Sequence, residues 1–316
     1  MISLNAIAQD KSEVNNTKHD VTSIVKELFS MEWYQNQEKL WKKEVESDKK
    51  NAKAWYNYYM AARAIRNLEK DKTKKEELDK AAVKIALDSY EAIPNTFEGN
   101  ILKYKGTQYE EVKYLYKAYE INPNDQRTYE SMMIEAEMLT NVTEREKFAN
   151  LMFQNNMVSS GILNWGYNIL AGLDSNAIVI THGDNDTYGT FLNQAGNNFR
   201  KDVMVLNSYM LMKDDYRKKV FKKLGMEDKY EAITGFNSSE DWNEKMKSNM
   251  KKLIEHSNRS FYVTNTQDEK MFGGHKDDFY LTGLNYKYSK SNLDNTSIIR
   301  NNVENKYKLD YGDVSF

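Results

Sequence analysis

Cysteine is absent from all 316 residues. That excludes disulfides, thiolate metal sites, a cysteine nucleophile and a cysteine-linked lipid anchor. It leaves the compartment open, because many exported bacterial proteins also lack disulfides. No apolar run approaches the roughly 18 residues that a membrane-spanning helix needs. The longest, such as Ala177 to Ile180, are strand-sized, so a soluble or membrane-peripheral protein is expected. An excess of either charge is also lacking: 45 Lys and Arg stand against 47 Asp and Glu, a formal net charge of -2. Nucleic acid is therefore not an expected partner. There is no GxGxxG fingerprint, GxxxxGK(S/T) loop, HExxH or GxSxG, which removes the best evidence for conventional nucleotide and hydrolase sites.

Proline is scarce as well, and its two positions are informative. Pro94 and Pro123 each fall where one helical pattern ends and the next begins. From Asp20 to Leu173 apolar residues recur at three- and four-residue spacing, as in Trp55, Tyr59 and Ala62, or Leu78, Ala82 and Ile85. The segment Tyr116-Lys-Ala-Tyr-Glu-Ile-Asn-Pro-Asn-Asp125 resembles the closing helix and turn of a tetratricopeptide repeat. Asp48-Lys-Lys-Asn-Ala-Lys-Ala-Trp55 resembles the same turn leading into a first helix, and Leu163-Asn-Trp-Gly-Tyr167 is a further first-helix candidate. The turns are spaced about 46 and 29 residues apart rather than a steady 34, so three to four degenerate hairpins are expected. Stacked hairpins bury their apolar faces against each other and leave a concave side for a protein partner. A plain helical domain without a groove is the competing reading. Tyr56, Tyr58 and Tyr59, with Tyr104, Tyr109, Tyr114 and Tyr116, fit packing between hairpins better than a ligand platform.

After Gly172 the period changes. Asn176 to His182, Asp202 to Ser208 and Arg259 to Asn265 read as short buried strands, and Asp278 to Tyr288 as a final one. Between them lie a polar Gly183-Asp-Asn-Asp186 turn and a helix from Thr187 to Gln194. A second helix, capped by Asp214 or Asp215, ends at Leu224 with Gly225 beyond it, and a third starts at Ser238 or Ser239. Strands alternating with helices imply a Rossmann-like, mostly parallel sheet flanked by helices, with ligands at the C-terminal strand ends. The expected fold is thus α/β with an N-terminal all-α part. Its boundaries are 1–19 for a signal remnant and disordered N-terminus, 20–173 for the helical array, 174–290 for the α/β domain and 291–316 for a polar tail. Ala6-x-Ala8 has the spacing of a signal-peptidase site, without a basic n-region or a full apolar core. The start is either the stump of an export signal or a short frayed N-terminus. The first places the protein in the periplasm or cell envelope, the second leaves it cytoplasmic.

The run Ala177-Ile-Val-Ile-Thr-His-Gly-Asp-Asn-Asp-Thr-Tyr188 resembles the GDNDT(F/Y) segment in the soluble C-terminal region of bacterial membrane proteins of unknown function related to protein O-mannosyltransferases. Phe199 to Ser208 looks like that family's second strand, Asp214-Asp-Tyr216 like its acidic-aromatic helix start and Leu281-Thr-Gly-Leu-Asn-Tyr286 like its closing segment. The resemblance covers roughly residues 160 to 290. No part of these residues corresponds to the family's multi-pass membrane half, where sugar transfer would reside, so that activity is not carried over. Gly189 and Phe191 stand where the family pattern has Pro and Trp, and His182 where it has Asn.

Asp184 and Asp186, two apart at a strand end, could ligate a divalent cation such as Mg²⁺, with His182 completing an H-x-D-x-D cluster. His182, Gly183, Asn185, Thr187, Tyr188 and Asn207 are the accompanying ligand-binding candidates. His275-Lys-Asp-Asp278 could close over the same site, making His275, Asp184 and Asp186 candidates for acid, base or nucleophile. Asp184-Asn-Asp-Thr-Tyr188 nearly matches the DxDx(T/V) nucleophile motif of haloacid dehalogenase phosphatases but lacks its fifth position. Asp and Asn at such a junction also commonly cap a helix, which is the favoured reading for Asn185 and Asp186. Two functions follow. The first is a noncatalytic interaction or scaffold protein of the envelope, peripheral to a membrane complex and binding a protein partner through the helical array. The alternative is a divalent-metal-dependent enzyme acting on a phosphate- or sugar-containing substrate at the GDNDTY loop.

Overall fold

The structure, a computed structural model, describes residues 17–24 and 26–309. The Ala6-x-Ala8 spacing and the end of the polar tail lie outside the described residues. The chain divides into two compact units, one ending at Thr128 and the other beginning at Tyr129.

The first unit is helical, with α1 (Met31–Ser47), α2 (Ala52–Leu68), α3 (Lys72–Ala92), α4 (Phe97–Gly106) and α5 (Lys113–Ile121). Sequence fixes where these helices start. The side chains of Ser30, Asn51, Asp71 and Thr96 each accept a hydrogen bond from a first-turn backbone N–H, satisfying donors that have no partner within the helix. Consecutive helices pack on each other from α1 to α5. Tyr34, Trp41, Trp55, Tyr59, Ile85 and Leu102 lie in one buried cluster; of the tyrosines expected to pack between hairpins, Tyr59 and Tyr104 are buried whereas Tyr109 is 40% exposed. Pro94 lies between α3 and α4, and Pro123 follows α5. Lys18 and His19, assigned by sequence to the disordered start, are tied down. The His19 N–H donates to Gln37 Oε1 at 2.8 Å, and the His19 carbonyl accepts from Trp41 Nε1 at 2.8 Å.

The second unit opens with α6 (Tyr129–Met138), α7 (Val142–Gln154) and α8 (Ser160–Ala171), three helices that the sequence pattern joins to the array. Then follow β1 (Ile178–Thr181), α9 (Gly183–Gly196), β2 (Met204–Asn207), α10 (Ser208–Leu211), α11 (Asp214–Lys223), α12 (Ser239–His256) and β3 (Phe261–Thr264). The hairpin β4 (Phe279–Leu281) and β5 (Asn285–Tyr288) precedes α13 (Asn295–Asn305). The α/β expectation holds, with one sheet in the order β2-β1-β3-β5-β4. The sheet is mixed rather than mostly parallel: β2, β1 and β3 are parallel, while β5 runs antiparallel to both β3 and β4. The single strand expected over Asp278 to Tyr288 is two. Thr282, Gly283 and Leu284 reverse the chain, with Gly283 at φ +122°, and a connection this short yields only an antiparallel pair.

The two faces of this sheet differ in chemistry. Ile178, Ile180, Leu206, Phe261 and Val263 share an apolar cluster with Tyr216, Val220 and Phe221 of α11 and with Met246, Met250 and Leu253 of α12. Side chains alternate along a strand, so Thr181, Asn207 and Thr264 face the other way. Register places Thr181 opposite Asn207, and Thr264 opposite Asn285. With Val263 beside Ile180, the four form one polar row across β2, β1, β3 and β5. All are buried, and helices α8 and α9 supply their hydrogen-bond partners.

Candidate functional site

The Gly183-Asp-Asn-Asp186 segment is the first turn of α9, not a loop before it. His182 alone separates β1 from the helix and occupies the N-cap, with no cap bond from its own side chain. Gly183 carries φ +63°, which lets the chain turn from strand to helix at a position where an L side chain would be strained. The acidic residues Asp184 and Asp186 sit at the positive end of the helix dipole.

Asp186 is 4% exposed and both oxygens of its carboxylate are hydrogen-bonded. Oδ1 accepts from Trp165 Nε1 of α8 at 2.8 Å. Oδ2 accepts from the His182 N–H at 3.2 Å and from the hydroxyls of Thr264 and Thr266 at 2.8 and 2.7 Å. Two helices and the end of β3 thus converge on one carboxylate. Thr187 and Asn207 are committed in the same way. Thr187 Oγ1 donates to the Gly183 carbonyl at 2.7 Å and lies 2.7 Å from Thr181 Oγ1. Asn207 Nδ2 donates to Thr187 Oγ1 and to the Gly183 carbonyl, while its Oδ1 caps α10 through the Tyr209 and Met210 N–H groups. The polar row is therefore the seat on which α9 rests. Asn285 extends it to α8 through the Ile169 carbonyl at 3.0 Å.

Asp184 and Asn185 are exposed. The Asp184 carboxyl is held above the usual aspartate range, first by loss of hydration against the wall beside it and then by the Glu130 charge, against the Tyr188 hydroxyl that stabilises the anion. Tyr188 Oη donates to Glu130 Oε1 at 3.1 Å, and burial followed by both carboxylates pushes its own pKa far up. Asp184, Tyr188 and Glu130 thus form a small acidic cluster. On the other side, His182 Nε2 lies 3.3 Å from the Tyr209 hydroxyl, while His182 Nδ1 is buried without a partner. Tyr209 is 52% exposed.

His275 is not brought to this place. Its Nδ1 lies 3.2 Å from Asp278 Oδ2 and its Nε2 3.0 Å from Glu255 Oε1 near the end of α12. Its ring meets Tyr288 edge-on. Because Tyr262 of β3 is registered with Lys287 and Thr264 with Asn285, Tyr288 lies at the N-terminal end of the parallel strands, opposite to His182. Of the metal candidates, Asp184 is open to solvent whereas both Asp186 oxygens already accept hydrogen bonds. Among the described residues no group of three or more His, Asp or Glu side chains could hold a metal ion.

Sequence reasoning missed Trp165, Glu130, Thr264, Thr266 and Tyr209. Trp165 was visible only as part of a repeat-like helix, and its partner lies 21 residues on. The one available signal was the hydroxyl residue closing each of two apolar strands, Thr181 and Thr264. Residues 162–250 match the family model described as TMEM260-associated domain 2. The match fits the family related to protein O-mannosyltransferases and runs from within α8 to within α12. No curated protein and no solved structure matches the chain.

Proposed function

We propose that this chain is a noncatalytic interaction protein of the bacterial cell envelope. Its tetratricopeptide-like helical array engages a protein partner, and its Rossmann-like α/β domain supports that array. The observation that carries the reading is the Asp186 carboxylate. It accepts four hydrogen bonds, from Trp165, His182, Thr264 and Thr266, and at 4% exposure it is committed to holding the fold together. The motif that looked most like a reaction centre is then explained as a structural joint. Tetratricopeptide-like character is supported by short links and pairwise packing from α1 to α5. Rossmann-like winding is supported by two parallel pairings reached through helical crossovers, α9 between β1 and β2, and α11 with α12 between β2 and β3. Envelope placement rests on Ala6-x-Ala8 and on the family resemblance. No helix among the described residues is long and apolar enough to cross a membrane.

Ile121 and Tyr109 are apolar residues of the helical unit left 49% and 40% exposed. Crosslinking in envelope preparations should capture a defined partner with the full chain, lose it with Ile121→Glu or Tyr109→Ala, and keep it with Asp184→Asn. Partner capture that ignores both helical substitutions would sink the proposal.

A second reading has its own observation, the raised pKa of Asp184 in its cluster with Tyr188 and Glu130, together with the unpartnered His182 Nδ1. An enzyme acting on a phosphate- or sugar-containing substrate would use Asp184 as a proton donor and His182 as an orienting group. Calorimetry with Mg²⁺ and a nucleotide sugar separates the two readings. Saturable binding by the wild type that Asp184→Asn abolishes favours the enzyme, and heats no larger than dilution favour the interaction protein.

A further inference from the structure

At the other end of the parallel strands, a pocket of about 420 Å³ opens beside β2, the edge strand of the sheet. Its walls come from α7, from the approach to β2, and from the C-terminal ends of α11 and α12. Four cations line it: Arg145, Lys201, Lys223 and Arg259. Two are neutralised. Arg145 Nη1 meets Glu137 Oε2 at 2.8 Å, and Lys201 Nζ meets Glu146 Oε2 at 2.7 Å. The third acidic residue in the wall, Asp202, is bound to Arg200 outside it at 2.9 Å.

That leaves Lys223 and Arg259 without an acidic partner among the described residues. Arg259 bonds only the neutral Asn176 side chain. Lys223 stands at an exposed position, and its pKa is lowered first by desolvation where the side chain lies against the protein, with Glu137 opposing and Arg145 and Arg259 adding to the depression. The two helix C-termini carry about half a negative charge each, so two full positive charges still leave the pocket electropositive. A third group points the same way: Ser257, the C-cap of α12, is 8% exposed, lines the pocket, and its Oγ has no hydrogen-bond partner. A buried hydroxyl left unsatisfied is uncommon, because the desolvation it suffers goes uncompensated.

The geometry points to a binding site for the phosphate group of a small phosphorylated molecule, held by the Lys223 ammonium, the Arg259 guanidinium and the Ser257 hydroxyl. All three are hydrogen-bond donors, and a phosphate monoester offers several acceptor oxygens and a charge that such donors match. The cavity has room for more than the phosphate alone. This site shares no residue with the THGDNDTY cluster, so it stands or falls independently of the function proposed above.

The test is titration of the full chain with inorganic phosphate and with glycerol phosphate, followed by calorimetry and by amide chemical shifts. Saturable binding is expected, with shifts at Lys223, Ser257 and Arg259, tighter for the ester than for the free ion. Lys223→Met and Arg259→Gln should each weaken it about tenfold or more, while Lys223→Arg retains most of it. Acetate should compete poorly. Absence of saturable binding, binding that both charge-removing variants leave unchanged, or shifts located elsewhere would each overturn the assignment. Because the shift map is recorded on wild-type protein, a variant that fails to fold does not remove the test.

Discussion

Asp186 and Asp184 are two residues apart and do opposite things. Asp186 lies in the first turn of α9 and gathers four donors, so Asp186→Ala leaves buried N–H and O–H groups without an acceptor. That substitution should destabilise the sheet-bearing unit by roughly 3 kcal/mol, since bonds to a charged group are the stronger class. Thr266→Val, which removes one donor, should cost about 1 kcal/mol. Urea unfolding followed by tryptophan fluorescence checks both, and a smaller loss for Asp186→Ala than for Thr266→Val would contradict the bonding scheme. Asp184 stands outside the joint with its pKa raised. The folded chain therefore holds this proton more tightly than the unfolded chain. The group's contribution to stability falls as the pH rises from the ordinary aspartate value of 3.8 through the raised folded value. Asp184→Asn should consequently be more stable than the wild type at neutral pH, by roughly a few tenths of a kcal/mol after solvent screening, with no difference well below pH 3.8. Glu130→Gln should lower the Asp184 pKa in a carboxyl NMR titration. The H-x-D-x-D pattern showed three polar side chains close in sequence, but not which of them the sheet would consume, because their partners lie in α8 and beyond β3.

Gly189 lies where α8 packs on α9, and that packing gives the reason for a glycine there. A Cβ at Gly189 would overlap the Ile162 carbonyl, and one at Gly166 would overlap the Gly189 backbone. The two helices therefore cross through paired glycines, and Asn193 Nδ2 clamps the crossing by donating to the Leu163 carbonyl at 2.7 Å. Gly189→Ala should cost about 3 kcal/mol, the upper range for forcing extra volume into a packed interior. Thermal unfolding measures this, and a variant melting with the wild type would show that the crossing can relax. Most elements were legible in the sequence because caps and periodicity are local. Ser238 starts α12, Gly225 follows α11 at φ +68°, and the three parallel strands fall inside their expected segments. The start of α9 was not legible. Gly-Asp-Asn-Asp has turn composition, and only the structure shows that it is already helical, with the Asp186 carboxylate accepting from the His182 N–H at the N-cap.

At the scale of the molecule, the periodicity of the sequence changes after Gly172, whereas the compact unit begins at Tyr129. The reason lies in the contacts of α8. Trp165 bonds Asp186, the Leu163 carbonyl receives Asn193, and the Ile169 carbonyl receives Asn285. A fragment 129–309 should therefore unfold cooperatively, whereas a fragment 174–309, lacking α6 to α8, should lose near-ultraviolet circular dichroism and melt without a sharp transition. Equal cooperativity of the two fragments would show that α8 is dispensable to the sheet.

The sequence by itself determined the α/β class, the helical first part, the Ser238 cap of α12 and the three parallel strands, because each depends on residues within a few positions of one another, whereas α11 starts at Asp214 with Lys213 rather than an aspartate at its N-cap. It also marked residues 177–188 as the segment to watch. Only the tertiary structure decided what that segment's side chains do. Thr181, Asn207, Thr264 and Asn285 come from four strands spread over about a hundred residues, and sheet pairing alone aligns them into the row that seats α9. The same pairing sends His275 to the opposite end and leaves β2 at an edge, where Lys223, Ser257 and Arg259 gather around a pocket that no local pattern announces.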